Sequence, residues 1–157
     1  MPAPHKRLSV SGIAGHPRAP YGNLKAGSYG ESVASPAVIL VVEDTEDLRW
    51  CVAQYLRVAG FEVVESANAK EALAAIDTGT HIDLVFTDIH MPGAMDGVAL
   101  ARWLAVNRPL LPVILTSGEA RPELQRTVPH CRFVRKPYSL DALEHDVRAL
   151  VGTSVVQ

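Results

Sequence analysis

The feature that most constrains this chain is an alternation. From Ala37 onward, short unbroken apolar runs take turns with stretches whose apolar residues recur at helical spacing. Ala37 to Val42 (AVILVV) is continuous and β-branched, the pattern of a strand buried on both faces. Thr45 to Ala59 follows with Leu48, Val52, Tyr55, Leu56 and Ala59 at helical spacing, and Gly60 stands where a helix ends. Phe61 to Glu65 reads as a second strand. Asn68 and Glu71 form a capping-box pattern, Leu73 and Ile76 supply the stripe of a second helix, and Gly79 closes it. Ile82 to Thr87 and Leu111 to Thr116 read as strands flanking a helix from Asp96 to Val106. Glu119 to Thr127 is a weaker helical stretch, kept short by Pro122 and Pro129. Arg132 to Arg135 is a fifth strand, and Ser139 caps a last helix bearing Leu140, Leu143, Val147 and Leu150.

Strands that are apolar throughout and alternate with helices predict a parallel sheet covered on both faces. Five such units are too few to close an eight-stranded barrel. The expected fold is therefore α/β: a flavodoxin-like, doubly wound, three-layer arrangement. Its five parallel strands take the common order 2-1-3-4-5, with a crevice at the carboxyl ends of strands one and three.

In that order, strands one, three, four and five are consecutive neighbours about 4.8 Å apart. The residues at or just past their carboxyl ends are Glu43 and Asp44, then Asp88, then Thr116 and Ser117, then Lys136 and Pro137. Three carboxylates, a hydroxyl and an ammonium therefore converge on one patch. Carboxylates this close repel one another unless a cation is present. All-oxygen ligands suit a hard divalent ion, above all Mg²⁺. With the ion bound, one carboxylate stays ionised and can act as a nucleophile. Lys136 and Thr116 offer a charge and a hydroxyl to an incoming phosphoryl group. The chemistry this patch suits is phosphoryl transfer onto an aspartate.

With these residues in place, the chain resembles the receiver domain of two-component response regulators over about Ala37 to Leu150. The matching stretches are VVEDTEDLR at 41–49, FTDIHMPGAMDG at 86–97, ILTSG at 114–118 and FVRKPYS at 133–139. The resemblance implies that Asp88 is the phospho-acceptor and that Asp44 binds Mg²⁺ (or Mn²⁺) directly. Glu43 would act largely through water, and the backbone carbonyl of His90 would complete the protein ligands. It further implies Thr116 as the switch hydroxyl, Lys136 as the phosphate-pairing lysine, a cis Lys136–Pro137 peptide and Phe133 at the aromatic switch position. It implies as partners a histidine kinase or histidine phosphotransfer protein, and a downstream protein target reached through the fourth helix, fifth strand and fifth helix. A homodimer is compatible with it.

Two stretches depart from the family's commonest pattern. The loop after Asp88 has one more residue between Pro92 and Asp96, and the stretch from Thr116 to Lys136 is short. Other polar residues read more plainly. Asp83 and Asp96 are expected to be solvated or capping, and the His90 side chain to be exposed and inert. Trp50 and Trp103 are expected to serve packing or a partner surface, and Cys51 to pack within the first helix as a small apolar group.

Composition narrows the partners. The 157 residues are 48% apolar with a net charge of -2, enough for a core and too little positive charge for bulk nucleic-acid binding. No apolar run is long enough to span a bilayer. Two cysteines fit a reduced, cytoplasmic compartment rather than a disulfide framework. Residues 1–35 carry +3, four prolines and five glycines without periodicity, and are expected to form a tail. The expected receiver spans 36–151, with a short tail at 152–157.

Rival readings share the fold but not the rim. A flavin or nucleotide binder needs a Gly- or Ser/Thr-rich loop after strand one, where this chain has Glu43, Asp44, Thr45, Glu46 and Asp47. An aspartyl-phosphate hydrolase generally needs a second carboxylate two residues after the nucleophile; His90 stands there. An inert receiver-like docking module would not need the acidic trio with Lys136. The expectation is a stand-alone, single-domain signalling phospho-acceptor. It is not expected to be an enzyme with outside turnover, nor to act on nucleic acid or membranes.

Overall fold

The computed structural model describes residues 35–121 and 123–153. The expected segments 1–35 and 152–157 fall outside that span apart from Ser35, Gly152 and Thr153. In chain order the elements are β1 (Val38–Val42), α1 (Glu46–Val58), β2 (Glu62–Ser66), α2 (Ala69–Asp77), β3 (Leu84–Asp88) and α3 (Gly97–Asn107). They continue with β4 (Val113–Ser117), α4 (Leu124–Thr127), β5 (Cys131–Arg135) and α5 (Leu140–Thr153).

The five strands form one parallel sheet in the order β2-β1-β3-β4-β5. This is the flavodoxin-like α/β fold. Side-chain alternation divides the strands between two cores. Ile39, Val41, Leu84, Phe86 and Ile114 pack with Val52 and Leu56 of α1 and with Leu143 and Val147 of α5. Leu40, Val42, Val85, Val113 and Leu115 pack with α2, with Leu100 and Leu104 of α3, and with Leu124 and Val128. Both faces of the central strands β1, β3 and β4 are therefore buried, which is why they open as continuous apolar runs, while the edge strands β2 and β5 carry Glu62, Glu65, Arg132 and Arg135.

Local chemistry sets the helix ends. Asn68 accepts the Glu71 amide at 2.9 Å, and the Glu71 carboxylate reaches back to the Ala67 amide at 2.8 Å. Asp96 accepts from Ala99 and Ser139 from Ala142, capping α3 and α5. Gly60 follows α1 with φ +98°, the left-handed conformation that glycine adopts without a Cβ penalty.

Two residues differ from the sequence reading. Cys51 is exposed, not packed. It lies at the edge of the α1 stripe and lines a groove of about 440 Å³ with Leu48, Pro137, Tyr138 and Leu140. Asp83 is more than a solvated carboxylate. It accepts the Val38 amide at 2.7 Å and pairs with His81 at 2.8 Å, tying the start of β1 to the residue before β3.

Candidate functional site

The site forms where the strands end. Glu43 directly follows β1, Asp88 is the last residue of β3, and its partner in β4 is Thr116. Lys136 follows β5, and its amide donates to the Ser117 carbonyl at 2.9 Å. The Lys136–Pro137 peptide is cis.

Lys136 Nζ lies 3.0 Å from Asp88 Oδ2 and 3.2 Å from Glu43 Oε2. Carboxylate oxygens of Glu43, Asp44 and Asp88 all lie within 4.8 Å of one another. Glu43 and Asp88 are buried, while Asp44 is exposed. The Thr45 amide donates to Glu43 Oε1 at 3.1 Å, and a longer contact of 3.4 Å runs from the His90 amide to Asp88 Oδ1. Burial is the main reason that Glu43 titrates above the ordinary carboxylate range. Asp44 and Asp88 add to the rise, and the Thr45 amide and Lys136 oppose it. For Lys136, burial pulls the other way, but Asp88 and Glu43 together outweigh it and hold the ammonium above its ordinary value.

Three hard oxygen donors in one partly buried cluster fit a small divalent ion such as Mg²⁺. The cluster opens to solvent through Asp44, which leaves room for an ion that keeps several waters. The His90 side chain is exposed, and the donor implied there is its carbonyl.

Thr116 Oγ1 is fully buried without a hydrogen-bond partner among the described residues. Such a hydroxyl costs stability in this state and calls for an explanation. Phe133 is half-buried against the core that holds Leu124 and Val128, opposite Leu115 in the β4–β5 register.

Several neighbours were not singled out from sequence. Gly97, at the start of α3, lies so close to the acceptor that a Cβ there would meet the Asp88 carbonyl oxygen at 2.0 Å. Tyr138 rests edge-on against Phe86, its hydroxyl buried and unpartnered among the described residues. Burial first, then the negative charges of Glu43 and Asp88, push its ionisation upward. Arg49 donates to the Glu43 carbonyl at 2.7 Å. Arg49 lies inside the stretch that carries the family pattern, but only the fold shows where its guanidinium goes.

A family model described as the response regulator receiver domain matches residues 39–148. This chain belongs to the response regulator receiver domain family of two-component systems. It is 38% identical to the C4-dicarboxylate transport transcriptional regulatory protein DctD of Rhizobium meliloti, over 73% of this chain and 25% of that protein. It is 32% identical to the sensor kinase CckA of Brucella abortus, over 76% of this chain and 13% of that protein. The chain thus spans a quarter or less of these curated relatives. Among solved structures, a response regulator receiver protein from Sinorhizobium medicae superposes with a TM-score of 0.69 at 29% identity, covering 74% of this chain and 95% of that one. The receiver domain of a hybrid histidine kinase CckA gives 0.63 at 31% identity, covering 73% and 99%. Receiver domains are signalling phospho-acceptors that bind Mg²⁺ through acidic residues. Among the described residues, no helix is long and apolar enough to cross a membrane.

Proposed function

We propose that Asp88 accepts a phosphoryl group from a phosphohistidine presented by a histidine kinase or histidine phosphotransfer protein. The observation that carries this reading is the contact of Lys136 with both Asp88 and Glu43, beside a third carboxylate, Asp44.

In the proposed reaction an Asp88 carboxylate oxygen attacks phosphorus, and an acyl phosphate forms. The P–N bond breaks, and the imidazole leaves with the bonding pair and takes a proton from solvent. Glu43, Asp44, Asp88 and the His90 carbonyl would hold Mg²⁺ or Mn²⁺. The ion, when bound, offsets negative charge on the transferring phosphoryl oxygens. Lys136 neutralises a further phosphoryl oxygen as a point charge. Thr116 supplies the hydroxyl that has no partner among the described residues, and Phe133 follows it at the sheet edge. The signal then passes by protein contact through α4, β5 and α5. The chain assists its own phosphorylation and dephosphorylation, and turns over no outside substrate. Exposed Cys51, with no disulfide partner, is compatible with a cytoplasmic setting.

The test is incubation with acetyl phosphate and Mg²⁺ followed by intact mass measurement. The wild-type chain gains one phosphoryl group, and chelation or Asp88→Asn prevents it. Equal labelling of Asp88→Asn would overturn the assignment.

A further inference from the structure

Arg49 sits on α1, yet its guanidinium reaches back to the loop that carries the acidic pair. Nη1 donates to the Glu43 carbonyl at 2.7 Å, and Nε lies 3.7 Å from Glu65 Oε2. Glu65 in turn pairs with Arg57 at 2.9 Å, while a second Arg57 nitrogen donates to the Val63 carbonyl at 3.1 Å. A chain of charges therefore runs along the β2 edge of the sheet to the backbone of Glu43. The Arg49 side chain is 17% exposed, so most of it is shielded from competing water.

Every hydrogen-bonding group of Glu43 is thereby engaged. Its amide donates to the Ser66 carbonyl at 3.1 Å, and its carbonyl accepts from Arg49. One carboxylate oxygen takes the Thr45 amide, and the other takes Lys136. The Glu43 carbonyl belongs to the peptide that leads into Asp44. Holding that carbonyl fixes the direction in which the Asp44 side chain leaves the main chain.

The geometry points to Arg49 as a positioning residue for the divalent-ion site, holding the Glu43–Asp44 peptide so that the acidic side chains converge. This rests on the metal-dependent reading above. Two effects of removing Arg49 have opposite sign, which makes the inference decidable. By Coulomb's law alone, deleting a cation beside three carboxylates tightens cation binding. Releasing the peptide lets the carboxylates splay and weakens it. Groups that orient metal ligands without touching the metal are typically worth roughly 10–100-fold in affinity, and the positioning effect wins.

The experiment is calorimetric titration of the full chain with Mg²⁺, for wild type, Arg49→Ala and Arg49→Lys. Thermal unfolding without Mg²⁺ serves as the fold control. Arg49→Ala is expected to bind Mg²⁺ roughly tenfold or more weakly. Labelling by acetyl phosphate is expected to recover at saturating Mg²⁺, because Asp88 and Lys136 are intact. Arg49→Lys restores binding in part, since one ammonium can reach the carbonyl but cannot also serve Glu65 as a planar fork does. Should Arg49→Ala not fold, Glu65→Gln, which frees the guanidinium from its anchor, is expected to weaken Mg²⁺ binding in the same direction. Wild type that binds while Arg49→Ala binds equally or more tightly overturns this inference alone. Wild type that binds no Mg²⁺ overturns it together with the reading it rests on.

Discussion

Lys136 and Asp88 are 48 residues apart in the chain and 3.0 Å apart at the site. The same ammonium holds Glu43 at 3.2 Å, so one cation joins the ends of β1, β3 and β5. Lys136→Ala would leave two buried carboxylates facing each other. The expected result is a chain destabilised by about 1–3 kcal/mol without divalent ions. Added Mg²⁺ should then raise its unfolding temperature more than it does for wild type. An equal shift in both would mean that the lysine and the ion do not share a task.

Thr116 carries the opposite expectation for stability. Its hydroxyl is buried without a partner among the described residues, so Thr116→Val removes a liability and keeps the shape. The variant should be more stable than wild type by about 1 kcal/mol in urea unfolding. It should also lose most of the extra stabilisation that beryllofluoride with Mg²⁺ gives to wild type. If beryllofluoride stabilises Thr116→Val as strongly, the hydroxyl has no role toward the phosphoryl group.

Gly97 packs its α-carbon against the acceptor's own backbone. A methyl group there would meet the Asp88 carbonyl oxygen at 2.0 Å, a distance that forces the main chain to move. Gly97→Ala is expected to cost about 1–3 kcal/mol and to slow labelling of Asp88 by acetyl phosphate. Wild-type labelling rates in this variant would show that the loop yields without disturbing the acceptor.

Glu43 gives the pH dependence. Its folded value lies above the ordinary 4.5, because burial disfavours the charge. The folded state therefore holds a proton that the unfolded chain has already released. Stability from this group is complete below the ordinary value and is lost as pH rises through the raised one. Glu43→Gln should flatten the pH dependence of unfolding free energy in the window just above 4.5, measured in urea without divalent ions. Parallel curves for the two proteins would contradict it.

Much of this was legible in sequence because the central strands of the sheet are buried on both faces. A run such as Val38 to Val42 then announces its environment directly, and the residues at its end follow once the strand order is assumed. Glu43, Asp44, Asp88 and Lys136 were visible for that reason. What the sequence hid depends on long-range approach. The Asp83 carboxylate meets the Val38 amide 45 positions away, and nothing in either neighbourhood signals it. Gly97 looks like a helix-start residue until the acceptor's carbonyl is placed beside it. Cys51 was misjudged because it lies at the boundary of the α1 stripe, where a small rotation of the helix decides between core and solvent.

The four-residue α4 has a consequence for the surface it borders. A single turn is too short to sustain itself, since nucleating a helix costs more than one turn of bonds returns. Leu124 and Val128 are its pegs, seated in the same core as Val113 and Leu115 of β4. The turn owes its shape to the floor beneath it. A slight shift of that floor would unseat the pegs, converting a small internal push into loss of form on the outside.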